Sequence, residues 1–292
     1  MNLQLQFWIF AILLVLGLRG VLSKLAVSSA GAVPTMVVGY CLAPVMAVVQ
    51  LLIEGSQALV SMPVSAVMWV GLHSLSSLLA GAGQLIAIKG LEASVVVSVT
   101  ASSVIVTQLL ATRMGEDLVM TQVIGSVIIM VGVIALKYSR GETSDKQSMP
   151  ISVTSVVALF VSFLCFGLSP VLQKHATTLA SNETLMLTRS LCDSTVFLLL
   201  LLPFVLVKSD VRGHLKNGRF WVIALAAGGT GTIATMGSYF ALSIGTAGHV
   251  TALTQTYPAL TYVLAMFLLN ESFSKVRLVG ILTIITGGVV VH

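Results

Sequence analysis

The sequence predicts an all-α membrane protein of ten transmembrane helices, built as two inverted five-helix repeats. Three observations carry this expectation. Of the 292 residues, 57% are hydrophobic and only 9% charged, with a mean hydropathy of +1.03, whereas soluble domains carry about 25% charged residues. The apolar residues come in runs long enough to span, without the polar–apolar alternation of a membrane barrel strand. Finally, the chain echoes itself. Gly17-Leu18, Val21-Leu22, Lys24 and Ala26 recur in register as Gly167-Leu168, Val171-Leu172, Lys174 and Ala176, each copy after an apolar run.

The first expected span is about residues 7–22. Met1 to Gln6 carry no Lys or Arg, and the basic residues Arg19 and Lys24 follow the apolar run. A cleaved secretory leader begins basic, so this span is expected to be retained. Four more follow at about 34–53, 63–88, 93–112 and 118–136. Residues 137–150 form the most hydrophilic stretch and are expected to be a linker. Five further spans are expected at about 151–173, 185–207, 220–244, 247–269 and 276–291. The two units are therefore residues 1–136 and 151–292. The echo continues within them: Glu116, Gly125 and Gly132 correspond to Glu271, Gly280 and Gly287. Five spans is an odd number, so the second copy enters the bilayer from the opposite face. The copies become inverted repeats about an axis in the membrane plane, an arrangement suited to a site that faces either side in turn.

Several function classes are excluded or disfavoured. No basic block suggests nucleic acid, and the net charge of +5 is explained by topology-setting loop residues. Cys41, Cys165 and Cys192 lie inside apolar runs at spacings that fit no zinc pattern. There is no His-Glu-x-x-His, Gly-x-Ser-x-Gly or Walker lysine, so no catalytic set and no ATP site is expected. Gly229-x-Gly231-x-x-Ala234 formally fits a dinucleotide fingerprint, but inside an apolar helix it reads as small residues for close packing. Gly125, Gly132, Gly280 and Gly287 read the same way. No cofactor or metal is expected.

The candidate binding residues are polar groups within spans. Arg189 and Asp193 stand at i, i+4 and can pair on one helix face. An unpaired charge at the bilayer centre costs at least about 2.5–3.5 kcal/mol, so the pair serves either a substrate or proton site, or packing near a helix end. His73 either hydrogen-bonds between helices or titrates during transport. Arg19 sits deep in the first span and can line a cavity; Lys24 and Lys174 are expected to snorkel. Gln84 and Tyr239 occupy nearly equivalent places in the third and eighth spans, the one offering amide donors and acceptors, the other a ring and hydroxyl. Gln255 and Tyr257 are weaker candidates of the same kind. Pro258 and Pro170 each remove a helical hydrogen bond and are candidate hinges, with a static kink as the alternative.

Residues 225–291 resemble the second repeat of the EamA group of the drug/metabolite transporter superfamily. The likeness rests on Gly229-Thr-Gly-Thr232, Tyr239-Phe-Ala-Leu242, Ala247-Gly248, Tyr257-Pro258 and Leu269-Asn-Glu-Ser272, with Gly-x6-Lys at Gly17/Lys24 and Gly167/Lys174 extending it over nearly the whole chain. The resemblance implies a ten-helix carrier of small metabolites, with the third and eighth helices bordering a central cavity. It also marks Glu116 and Glu271 as the family's loop glutamates, read here as structural caps. The chain departs from the family pattern at Ser102-Ser103-Val104, where a proline is common, and near Gly39, where an arginine is common.

These observations support a secondary transporter of a small, amino-acid-like or amphipathic metabolite working by alternating access, and not an enzyme. The alternatives from other classes are an intramembrane lipid-modifying enzyme and a non-transporting receptor. The expected partners are the metabolite and the lipid bilayer, with a proton admitted as coupling ion and both monomer and homodimer left open. The expected location is a plasma (inner) membrane. Of the 15 Lys and Arg, only Arg113, Lys174 and Arg189 fall on the side of the termini. The positive-inside rule then puts both termini outside, where the resemblance implies the reverse.

Overall fold

A computed structural model describes residues 3–55, 62–90, 96, 99–117, 119–138, 152–203, 218–269 and 275–291. No strand occurs among the described residues. The helices are α1 (Leu3–Ala30), α2 (Ala32–Tyr40), α3 (Leu42–Glu54), α4 (Val64–Gly90), α5 (Val104–Arg113), α6 (Met120–Tyr138), α7 (Val153–Thr177), α8 (Asn182–Val196), α9 (Gly218–Ile244), α10 (Ala247–Thr254), α11 (Tyr257–Leu269) and α12 (Lys275–Val291). A π-helical turn, Phe197–Leu201, continues α8. Among the described residues, six stretches are long and apolar enough to cross a bilayer: Leu3–Ala30, Val33–Glu54, Val64–Gln84, Val153–Thr177, Asn182–Leu201 and Gly218–Ile244. Met120–Ala135 and Leu278–Val291 are shorter apolar helices. The chain is a multi-pass helical membrane protein. Most of the expected linker, together with Glu271, Lys208, Arg212 and Lys216, lies outside the described residues.

Three of the expected spans are interrupted, and local chemistry explains each interruption. The second is divided at Cys41 between α2 and α3. Pro44 has no N–H to give the Tyr40 carbonyl four residues back, so the ladder fails there. The ninth is divided at Gln255–Thr256 between α10 and α11. Pro258 likewise offers nothing to the Thr254 carbonyl, while the Thr256 hydroxyl turns back to the Leu253 carbonyl at 2.8 Å. The fourth contains a turn at Ser102–Ser103 without any proline. There the side chains compete with the ladder: Thr100 Oγ1 donates to the Val96 carbonyl at 2.9 Å and Ser102 Oγ to the Val99 carbonyl at 2.6 Å. Ile105 N–H then bonds the Ser102 carbonyl, three residues back. By contrast Pro170, an expected hinge, sits inside an unbroken α7.

The long helices pair across the midpoint of the chain. α1 lies along α9, α4 along α7, α6 against α12, and α3 against α8. No hydrophobic force separates helix from lipid in a membrane, so the seams rely on small residues and interhelical hydrogen bonds. At the α6–α12 seam, Gly287 faces the Gly125 carbonyl and the Ile129 backbone, and a Cβ there would stand 2.7 Å from both. In the α4–α7 seam, Ser162 Oγ donates to the Ala80 carbonyl at 2.8 Å and Ser76 Oγ to the Cys165 carbonyl at 2.9 Å. Gly287→Leu is expected to force the seam apart and destabilise the protein by about 1–3 kcal/mol, the usual range for overpacking. A thermal melt in detergent checks this, with Gly71→Ala as control. Gly71 has open space around it, so that change should leave the melting temperature unchanged or raise it.

Candidate functional site

α8 is the least apolar of the spanning helices and carries the charged pair. Its start is fixed by Ser181, whose Oγ accepts from Thr184 N–H, with Glu183 in the first turn where the helix dipole favours an anion. Seven residues further on, Arg189 Nε donates to Asp193 Oδ2 at 2.7 Å, with side chains only 10% and 18% exposed. One donor and one acceptor remain unused: Arg189 Nη1 and Asp193 Oδ1 are buried and have no partner among the described residues.

Two aromatic groups complete the cluster. Tyr239 of α9 is fully buried, and its hydroxyl has no partner among the described residues. His73 of α4 meets it edge-on, with ring centroids 6.1 Å apart at 84°. His73 Nδ1 lies 2.8 Å from Ser169 Oγ of α7, which in turn is 3.3 Å from Ser77 Oγ. His73 Nε2 is buried without a partner among the described residues. Tyr40, the last residue of α2, lies within electrostatic reach of Asp193, Arg189 and Arg19. Buried polar atoms are nearly always paired. Four unpaired ones on three helices (Arg189 Nη1, Asp193 Oδ1, Tyr239 OH and His73 Nε2) therefore form a set that can serve a polar solute: donors for a carboxylate and an acceptor for an ammonium group.

Other candidates fall elsewhere. Gln84 is half-buried beside Gly83, which abuts Ser162. Eleven residues along α4 from His73, it lies about 16 Å away along the axis, so the structure does not bring Gln84 and Tyr239 together. Gln255 lies at the α10–α11 break with a buried, unpaired Oε1. Tyr257 and Pro258 open α11. The Arg19 guanidinium lies over Gly231.

Lys174 corrects an expectation. It does not snorkel: its Nζ donates to the carbonyls of Leu242 at 2.7 Å and Gly245 at 2.9 Å, capping the C-terminus of α9. The next helix is capped from the other half. The turn after α5, with Gly115 at φ +90°, presents Glu116, whose Oε1 accepts from Ala247 N–H at 2.9 Å and Oε2 from Gly248 N–H at 3.3 Å. A cation at a C-terminus and a carboxylate at an N-terminus both satisfy the helix dipole. The α9–α10 corner is thus held by charge from two directions. Lys174→Met is expected to lower stability by about 1–2 kcal/mol, read as a fall in melting temperature, with Lys174→Arg recovering most of it.

Sequence reasoning missed Tyr40 and Ser169. Pro44, which by its lack of an N–H is expected to bend the second span as Pro258 bends the ninth, was the available signal for Tyr40. Gln173 was also missed: its Nε2 donates to Ser238 Oγ at 2.8 Å and the Thr235 carbonyl at 3.2 Å, tying α7 to α9 beside Tyr239.

Comparison with known proteins agrees with the resemblance seen in the sequence. Residues 153–291 match the EamA-like transporter family. No curated protein matches the chain. One solved crystal structure superimposes with a TM-score of 0.78 at 18% identity, covering 99% of this chain and 96% of that one. At that identity the likeness is one of fold.

Proposed function

We propose, from the match of residues 153–291 to the EamA-like transporter family, that the whole chain is a secondary transporter of small amino-acid-like solutes. It works by alternating access between two inverted five-helix repeats, residues 1–136 and 151–292, in a plasma membrane. The single observation that carries the substrate reading is the Arg189–Asp193 pair with its unused Nη1 and Oδ1. Neutral as a pair, it suits a zwitterion: the guanidinium and the Tyr239 hydroxyl take a carboxylate, and the aspartate takes an ammonium group. His73 Nε2 is available for a third contact or a proton.

Recurring joints support the inverted-repeat reading. A Cβ on Gly17 would press on Leu260 of α11, and one on Gly167 on Val106 of α5, so the echoed glycines meet corresponding helices. α1 packs on α9 as α7 packs on α4. The fourth and ninth spans are both interrupted near the same place. An axis between the halves would produce all three.

Thermal-shift screening of the twenty amino acids in detergent, followed by uptake into liposomes, tests the proposal. A stabilising zwitterion that is also taken up supports it. Flux unaffected by loss of the Arg189 charge would remove the site.

A further inference from the structure

Arg19 is the one charge in the described part of the first span that has no neutralising neighbour. It lies on α1 eleven residues before Ala30, about 16 Å along the axis from the helix end, and is exposed. Its guanidinium rests on Gly231 of α9, where a Cβ would come 3.0 Å from Cζ and 3.1 Å from Nε. No hydrogen bond or ion pair links it to another described residue. A cation this deep is expensive unless it faces a polar path, and α9 gives it a glycine where a side chain would push it aside. Two tyrosines of further elements, Tyr40 at the end of α2 and Tyr257 at the start of α11, lie within its electrostatic reach. Tyr40 is also within reach of Arg189 and Asp193, so it links the two places.

We propose that Arg19, with Tyr40 and Tyr257, forms a second, anion-reading subsite, and that the preferred solute is a zwitterion carrying one additional carboxylate. This rests on the transporter reading above. Charge matching leads to the class. The Arg189–Asp193 pair sums to zero and receives a zwitterionic end. Arg19 adds a single positive charge, which one carboxylate balances. A doubly charged phosphate would leave one negative charge unmatched. The solute then spans the two places, with its acidic arm toward Arg19.

The test is competition in liposomes between glutamate and glutamine, which differ only in that arm. The wild-type protein should prefer glutamate by about tenfold or more, the usual worth of one charge-assisted contact. Arg19→Gln should bring the ratio close to one, and Arg19→Lys should retain a preference. Tryptophan-fluorescence titration of the wild-type protein with both solutes reads the same ratio without any variant, so a misfolded Arg19→Gln does not block the answer. Equal handling of the two solutes by the wild type, with uptake intact, overturns the subsite and leaves the transporter reading standing. Absence of uptake of any amino acid overturns both.

Discussion

Arg189→Gln is expected to abolish uptake and to lower stability by about 3–5 kcal/mol. The size follows from what is left behind: Asp193, 18% exposed and 2.7 Å from its only ion-pair partner among the described residues, becomes an uncompensated charge in a poorly solvated interior. Asp193→Asn should be damaging for the mirror-image reason. The double variant Arg189→Gln/Asp193→Asn removes both charges and should recover much of the melting temperature without recovering transport. That separation distinguishes the two readings of the pair. If it only fixed packing, the double variant would regain both properties. Melting curves and uptake rates on the same preparations decide between them.

Tyr239→Phe is expected to move stability and activity in opposite directions. The tyrosine ring is the largest fully buried side chain among the described residues, and phenylalanine keeps it. What goes is a buried hydroxyl with no partner among the described residues, whose desolvation penalty is about 1–3 kcal/mol. The variant should melt no lower than the wild type and should bind solute about tenfold more weakly, the worth of one lost contact. A loss of stability would mean that the hydroxyl is paired within the fold, and unchanged affinity would take Tyr239 out of the site.

The parts legible in the sequence were those set by local spacing. Arg189 and Asp193 are four residues apart on one helix, and the structure makes that pair. The glycines at 125, 132, 280 and 287 had no partner identifiable in advance, yet their spacing marked a close helix seam, and α6 and α12 meet there. Distant acceptors were not legible. Lys174 reaches carbonyls 68 and 71 residues away, and nothing near it in the chain distinguishes a cap from a snorkelling lysine. The interruption at Ser102–Ser103 was hidden because serine in a helix is tolerated as often as it competes with the ladder. The distance between Gln84 and Tyr239 was not legible either: equivalent places in the two repeats do not fix proximity, and Gln84 stands eleven residues along α4 from His73, the residue whose ring meets Tyr239.

Solute counterflow tests the central claim most directly. Liposomes containing the protein, loaded with unlabelled glutamate and diluted into a trace of labelled glutamate, should transiently accumulate label above its equilibrium level without ATP. That overshoot requires a single site exposed alternately to the two faces. Label that merely equilibrates, for glutamate or for any other amino acid the liposomes take up, would indicate a pore and contradict alternating access.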